Sequence, residues 1–331
     1  MLKFLNNRAV LLAFLVVLAV MPLISSKTFM ATLIQIFIIA VYAMSYDLLL
    51  GYTGIVSFGH AMFFGIGAYS VAIMSDKLDD PNMVVPGILI GLIISVLLSV
   101  AIGFLSLRVR EVYFSMITLA VAELLFIVAE KWTRVTGGND GMSFSIPEFL
   151  RDRTVMYYAA LLFLVCMYLF LKRVVDSPLG KTLQAIRENE QRVESLGYNV
   201  LGFKVVSIVI SGAVATLAGV MFGLFQRFVN TSVLGLDKTI EALLATIIGG
   251  AGTLIGSVLG AGVIRFAQDW LTSLTKVHPI FERWMIIFGI LYILIVMFFP
   301  KGIVGTIREK FMTNRGNGDA LRAGERNQTS L

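Results

Sequence analysis

Six side chains able to carry charge or a strong hydrogen bond sit within, or at the ends of, long apolar runs: Gln35, Asp47, His60, Glu123, Arg265 and Asp269. Such groups are expensive inside a bilayer, so each is a functional candidate by default. The chemistry open to them is narrow. His60 and Glu123 could line a polar path, or each could make an interhelical hydrogen bond; both readings stay open. Arg265 and Asp269, four residues apart, read as a local ion pair. No nucleophile stands beside a base, and no regular spacing suggests a proton relay. With two histidines far apart and one cysteine, Cys166, the chain has the residues for neither an internal disulfide nor a Cys/His metal cluster. Gly180-Lys181-Thr182 resembles the end of a phosphate-binding loop, but Val175 stands where the loop needs a glycine and no strand precedes it. The chain is therefore expected to bind no ATP or other cofactor itself, and it does not read as an enzyme.

The elements that must position these residues are membrane helices. The chain has 331 residues, 57% hydrophobic and 15% charged, with a mean hydropathy of +0.86. Soluble domains carry about 25% charged residues, and apolar runs of about 18 or more span a bilayer. Such runs fall near Ala9–Ile24, Phe29–Leu50, Gly54–Met74, Val84–Leu107, Val112–Ala129, Val155–Leu171 and Lys204–Gln226. A long glycine-broken run, Ile240–Leu271, and a last one, Trp284–Phe299, follow. They are continuous rather than alternating, which excludes a β-barrel signature. The first run is expected to be a retained span, with a cleaved signal peptide as the alternative. The net charge of +6 collects in short loops, without a basic patch interleaved with aromatics, so nucleic acid is not an expected partner.

Loop charge orients the bundle. The segment Lys172–Lys204 and the tail from Lys301 each hold six Lys/Arg, and both are expected in the cytoplasm. Asp76, Asp79 and Asp80 then lie outside. The loop Lys131–Arg153 runs against the trend, with four Lys/Arg on the expected outer side. Parity makes a second demand: the tail returns to the cytoplasm only if Ile240–Leu271 breaks into two membrane helices at its Gly-rich centre. At about 1.5 Å per residue the run is long for one span. Broken helices are tolerated where they face protein or a water-filled cavity, and they mark transport paths.

Small residues at i, i+4 spacing let membrane helices approach closely. Ser57, Ala61, Gly65, Ala68 and Ala72 form one stripe, with His60 on its flank. Ser211, Ala215, Gly219 and Gly223 form a second, and Gly252, Gly256 and Gly260 a third. The segments around Gly51–Gly54 and Gly249–Gly250 both begin with a Gly-rich break and continue as a small-residue helix, the pattern of an internal, inverted repeat. The expected fold is thus all-α, a polytopic transmembrane bundle with Gly-broken helices. The expected organisation is an N-terminal span over 1–28, a membrane domain over 29–305 and a polar, disordered tail over 306–331.

The most informative polar piece is Ser177–Val200, SPLGKTLQAIRENEQRVESLGYNV. Ser177-Pro178 starts a helix and Gly197 ends it. Leu179, Leu183, Ile186, Val193 and Leu196 make an apolar face among mixed charges. Mixed charge fits a protein partner better than an anionic lipid surface.

Taken with that segment, GYTGIVSFGHAMFFGIGAY, YFSMITLAVAE, TGGNDG, EALLATIIGGAGTLIGSVLGA and FFPKGIVG, in this order, resemble the permeases of branched-chain amino acid ABC importers, from about Phe29 to Gly305. The M-type subunit is most similar. The resemblance implies a bacterial or archaeal cell (inner) membrane protein that pairs with a second, homologous permease. Two ATP-binding subunits would dock on its cytoplasmic side, and an extracytoplasmic binding protein would deliver substrate. It assigns ATPase docking, within a loop over 172–204, to Gly180, Arg187, Glu188, Asn189, Glu190, Leu196 and Gly197. The outer loop Thr136, Gly137, Gly138, Asn139, Asp140 and Gly141 would meet the binding protein. Gly54, Ser57, His60, Gly65, Glu123, Gly249, Gly250, Gly252 and Gly256 are the candidates for the path and its helix packing. Branched-chain amino acids are the expected substrates. A urea or amide importer is the near alternative and an ion-coupled secondary transporter the distant one.

Overall fold

The computed structural model describes residues 16–22, 26–77, 83–106 and 111–274, and the single residues Gly289, Met297 and Gly302. Most of the last expected span, Trp284–Phe299, and of the tail beyond it lies outside these residues. So do Asp79 and Asp80.

Helix α1, Lys27–Asp47, begins on Ser26, whose hydroxyl accepts the Phe29 amide at 3.3 Å. From Ile36 to Asp47 every residue is buried. A helix apolar all round belongs at the centre of a bundle, and α1 packs against α7, α10, α11 and α12. It runs into a wider π-helical turn, Leu48–Thr53, closed by Gly54 at φ +80°. Such turns loosen the regular ladder of carbonyls and are frequent at functional sites. The chain then doubles back through irregular residues to α2, Ala61–Lys77. The expected span from Gly54 is therefore a connector followed by a 17-residue helix, and Ser57 lies before the helix rather than on its stripe.

The remaining order is α3 (Val84–Ser106), α4 (Glu111–Lys131), a short α5 (Thr133–Thr136), a 3-10 turn (Gly138–Asp140), β1 (Met142–Ser143), α6 (Glu148–Arg151) and α7 (Arg153–Asp176). The segment Ser177–Val200 folds in its first part as α8 (Pro178–Glu188) and α9 (Glu190–Ser195). Then come α10 (Val200–Gln226), β2 (Phe228–Val229), a 3-10 turn (Thr231–Leu234), α11 (Leu236–Gly249) and α12 (Leu254–Leu274). The all-α expectation holds, since β1 and β2 form only a two-residue antiparallel ladder, Met142 with Val229 and Ser143 with Phe228. Among the described residues five helices are long and apolar enough to cross a membrane. The expected break of Ile240–Leu271 is present: the pair α11–α12 is bent by 115° there, as a broken span or a re-entrant loop.

Glycine sets how closely the central helices approach. A Cβ on Gly219 of α10 would lie 1.8 Å from the Phe64 carbonyl oxygen of α2, and one on Gly67 of α2 would lie 1.9 Å from that of Thr216. These two helices touch backbone to backbone. Helix α3 closes over the same pair: Gly91 meets Ser70 Oγ and Gly212 of α10 meets Ser99 Oγ. Its contact stripe, Gly87, Gly91, Ser95, Ser99 and Gly103, keeps a strict four-residue spacing that the sequence reading passed over. Gly260 against Ala245 O and Gly249 against Gly256 O, each at 1.9 Å from an ideal Cβ, close α11 onto α12 in the same way.

Candidate functional site

The two breaks meet. A Cβ on Gly51, in the π turn, would lie 2.2 Å from the Gly252 nitrogen, so only hydrogen fits there. The Gly252 amide donates to Asp47 Oδ1 at 2.7 Å, across 205 residues of chain. Gly252 holds φ +84°, a conformation that disfavours any residue with a Cβ. Gly250 stands beside it, and Gly302, from the FFPKGIVG stretch, packs against Gly250 with an ideal Cβ 2.5 Å from its Cα.

A side chain from the segment Ser177–Val200 reaches this point. Arg187, near the end of α8, passes over Gly54 and donates through Nη1 to the Gly51 carbonyl. A Cβ on Gly54 would meet Arg187 Cγ at 3.0 Å, and one on Gly252 would meet Nη1 at 3.2 Å. Asp47, whose side chain is fully buried, stands against the same turn, with Oδ1 2.0 Å from an ideal Cβ on Gly51. Asp47 Oδ2 has no hydrogen-bond partner. The junction therefore joins the π turn, the second break and helix α8 through one carboxylate and one guanidinium. Asp47 had stood out in the sequence only as a polar group at the end of an apolar run.

The segment Ser177–Val200, expected to dock an ATPase, differs from its expected form. It is not one helix: Asn189 adopts extended backbone, ends α8 and caps α9 by accepting the Arg192 amide at 2.9 Å. Ser177 caps α8 in the same manner through the Gly180 amide. Gly180 is buried where α8 turns against α7, with a Cβ position 2.2 Å from Val175 O. Leu183, Ile186 and Val193 are buried as expected, but Leu196 is 72% exposed, and Tyr198 stands exposed beside it past Gly197. The apolar face thus splits between the bundle and the outside. Glu188 is exposed, while Glu190 pairs with Lys204 of α10 at 2.7 Å and anchors the segment to the bundle.

His60 is fully buried at the start of α2, between Tyr42, Tyr46 and Phe63. Its Nε2 lies 2.9 Å from Ser45 Oγ, whose own hydrogen goes to the Tyr42 carbonyl at 2.6 Å. Nε2 must then be the donor, which leaves Nδ1 as a buried acceptor without a partner. His60 thus bridges α1 and α2. The Ser57 carbonyl accepts from Tyr46 Oη at 3.1 Å, and Gly65 lies against Leu234. Glu123, by contrast, is exposed in the middle of α4, on a face with Tyr113, Met116, Ala120 and Ile127. Arg265 and Asp269 form the expected pair at 3.2 Å, joined by Thr32 of α1, which donates to Asp269 at 2.8 Å. Gly256 sits in the closure of α11 on α12.

At the opposite ends of α7 and α10, Thr136–Gly141 forms a tight cap. The Thr136 hydroxyl bonds the Ala129 carbonyl and accepts the Gly138 amide at 3.2 Å. Gly137 ends α5, and Gly141 is held against Val229 and Asn230. Asn139 donates to Glu130 and accepts from Thr231, each at 3.1 Å, while Asp140 is exposed. Among the described residues no three His, Cys, Asp or Glu side chains gather as metal ligands would.

Comparison with known proteins gives a family model described as a branched-chain amino acid transport system permease component, matched over residues 28–296. A high-affinity branched-chain amino acid transport system permease protein, LivM, of Salmonella typhimurium is 26% identical, covering 96% of this chain and 80% of the relative. A probable LivM permease of Methanocaldococcus jannaschii is 24% identical over 80% of this chain and 89% of the relative. The LivH permease protein of Salmonella typhimurium is 25% identical over 80% and 91%. No solved structure matches.

Proposed function

Because the chain belongs to the branched-chain amino acid transport system permease family, we propose that it is one membrane subunit of an ATP-driven importer of leucine, isoleucine and valine. The observation that carries this reading is the docking segment: a capped, charged helix pair that exposes Glu188, Leu196 and Tyr198 while its other face grips the bundle. That surface suits an ATP-binding partner. That one organism holds two similar permease proteins of a branched-chain system supports pairing with a second, homologous permease. In this reading the exposed face of α4 that carries Glu123 lies toward that partner and borders the path. A carboxylate is costly against lipid and useful beside the charged backbone groups of an amino acid.

The Lys/Arg distribution supports placing the docking segment and the C-terminal tail in the cytoplasm, and the packing of Gly302 on the second break agrees with it. Thr136–Gly141 would then face outward, where a loaded binding protein docks. The test is uptake in a strain lacking the transporter, given the partner subunits, the binding protein and labelled leucine or labelled urea. Leucine uptake that stops when the ATPase is inactivated is the expected result. Urea uptake without leucine uptake would overturn the substrate, and uptake independent of the ATPase would overturn the class.

A further inference from the structure

The Asp47–Arg187 junction asks for an explanation that helix packing does not supply. A fully buried carboxylate is costly and is retained where its charge has a task. Asp47 spends one oxygen on the Gly252 amide, and its other oxygen has no partner at hydrogen-bond distance, although the Ser257 hydroxyl and the Thr253 backbone also face the carboxylate. Arg187 spends a strong donor on a neutral carbonyl, Gly51 O, while Asp47 Oδ1 stands against the same glycine. Charged acceptors hold guanidinium more strongly than neutral ones do. The present pairing is therefore one of two arrangements available to the same groups.

We propose that Asp47 and Arg187 form a two-position coupling joint between the docking segment and both helix breaks. In the first position, the one described here, Arg187 holds the π turn through Gly51 O. In the second, movement of α8 shifts the guanidinium onto the free Asp47 oxygen and releases Gly51 O. Because Asp47 also holds Gly252, the shift pulls on both breaks at once. The absence of side chains at Gly51, Gly54 and Gly252 gives the guanidinium room to travel, since each Cβ would stand in its way or in that of the opposing break. The joint supplies what coupling over distance requires: an element with two discrete arrangements that both ends can bias. Asp47 is thus a positioning residue; it touches neither substrate nor nucleotide.

This inference rests on the transporter reading above, and its test is read differently. The whole complex, with its second permease, ATP-binding subunits and binding protein, is reconstituted in vesicles, and amino acid taken up is compared with ATP hydrolysed. Asp47→Asn keeps the shape and an acceptor for Gly252 but removes the charge. It is expected to assemble with its partners and to lose at least about tenfold in uptake per ATP. Arg187→Gln should do the same, and the double variant should be no worse than the poorer single one. Arg187→Lys, which keeps the charge, should recover part of the coupling. Full coupling in an assembled Asp47→Asn complex, or additive losses in the double variant, would overturn the joint. If Asp47→Asn does not assemble, the Gln and Lys variants of Arg187 decide: equal coupling in the two overturns it. The joint is also read from stimulation of ATP hydrolysis by the loaded binding protein, so it is judged apart from wild-type leucine uptake, on which the function stands or falls.

Discussion

Helices α3 and α4 are adjacent in sequence and equally bare: 28% of the residues in the apolar window of each are buried. Their exposed faces differ in kind. That of α3 is Val85, Leu89, Ile93, Ile94, Leu97 and Phe104, without a polar atom among its side chains. That of α4 carries Glu123 between Met116 and Ile127. Exposure alone would rank them as the same surface. Chemistry separates them: α3 presents what lipid accepts, and α4 presents a carboxylate that needs water or a protein partner. In a membrane chain, the informative surface is the one that is exposed and not wholly apolar.

Four substitutions test that contrast, beginning with the largest effect. Leu97→Asp, on the bare face of α3, should cost about 2.5–3.5 kcal/mol of insertion and strip most of the chain from the membrane fraction. Normal insertion would mean that α3 does not face lipid. Gly91→Val, on the buried face of the same helix, should lower thermal stability in detergent by about 1–3 kcal/mol, because the new Cβ meets Ser70 Oγ. Glu123→Leu should insert at least as well as the natural chain yet lower leucine uptake about tenfold, the scale of one 1.4 kcal/mol interaction. Unchanged uptake would make α4 a second lipid face. Ser115→Ala, on the buried side of α4, removes the bond to Val56 O at 2.7 Å. It should cost about 0.6 kcal/mol, read as a small drop in melting temperature with uptake retained.

What the sequence disclosed follows the range of the interactions involved. The spans of α1, α3, α4, α7 and α10, the break between Gly249 and Leu254, and the caps at Ser177 and Gly197 are local matters of hydropathy, turn residues and helix ends, and they were legible. The Arg265–Asp269 pair, one turn apart, was legible for the same reason. The split of the segment Ser177–Val200 was not. Asn189 sits in a run of good helix formers, and only the Glu190–Lys204 pairing and the cap on Arg192 show why the chain turns there. Leu196 fitted an apolar face by spacing, but the helix carrying that spacing had already ended. The α3 stripe could have been found, since its four-residue repeat stands in the sequence; the apolar residues between its members hid it. Asp47 stood out as a polar group, but the junction it makes could not, because Gly252 lies 205 residues from Asp47 and Arg187 136 residues from Gly51.

The seam between α2 and α10 has a mechanical consequence. Side chains between two helices act as a compliant layer that can repack as the helices slide. Where Gly67 meets the Thr216 carbonyl and Gly219 meets that of Phe64, there is no such layer. Two rigid ridges are locked into each other's grooves, and displacement would require lifting one backbone over the other. The pair must travel as a single beam. Any motion that opens one end of the bundle and closes the other has to find its hinge in the softer joints around that beam.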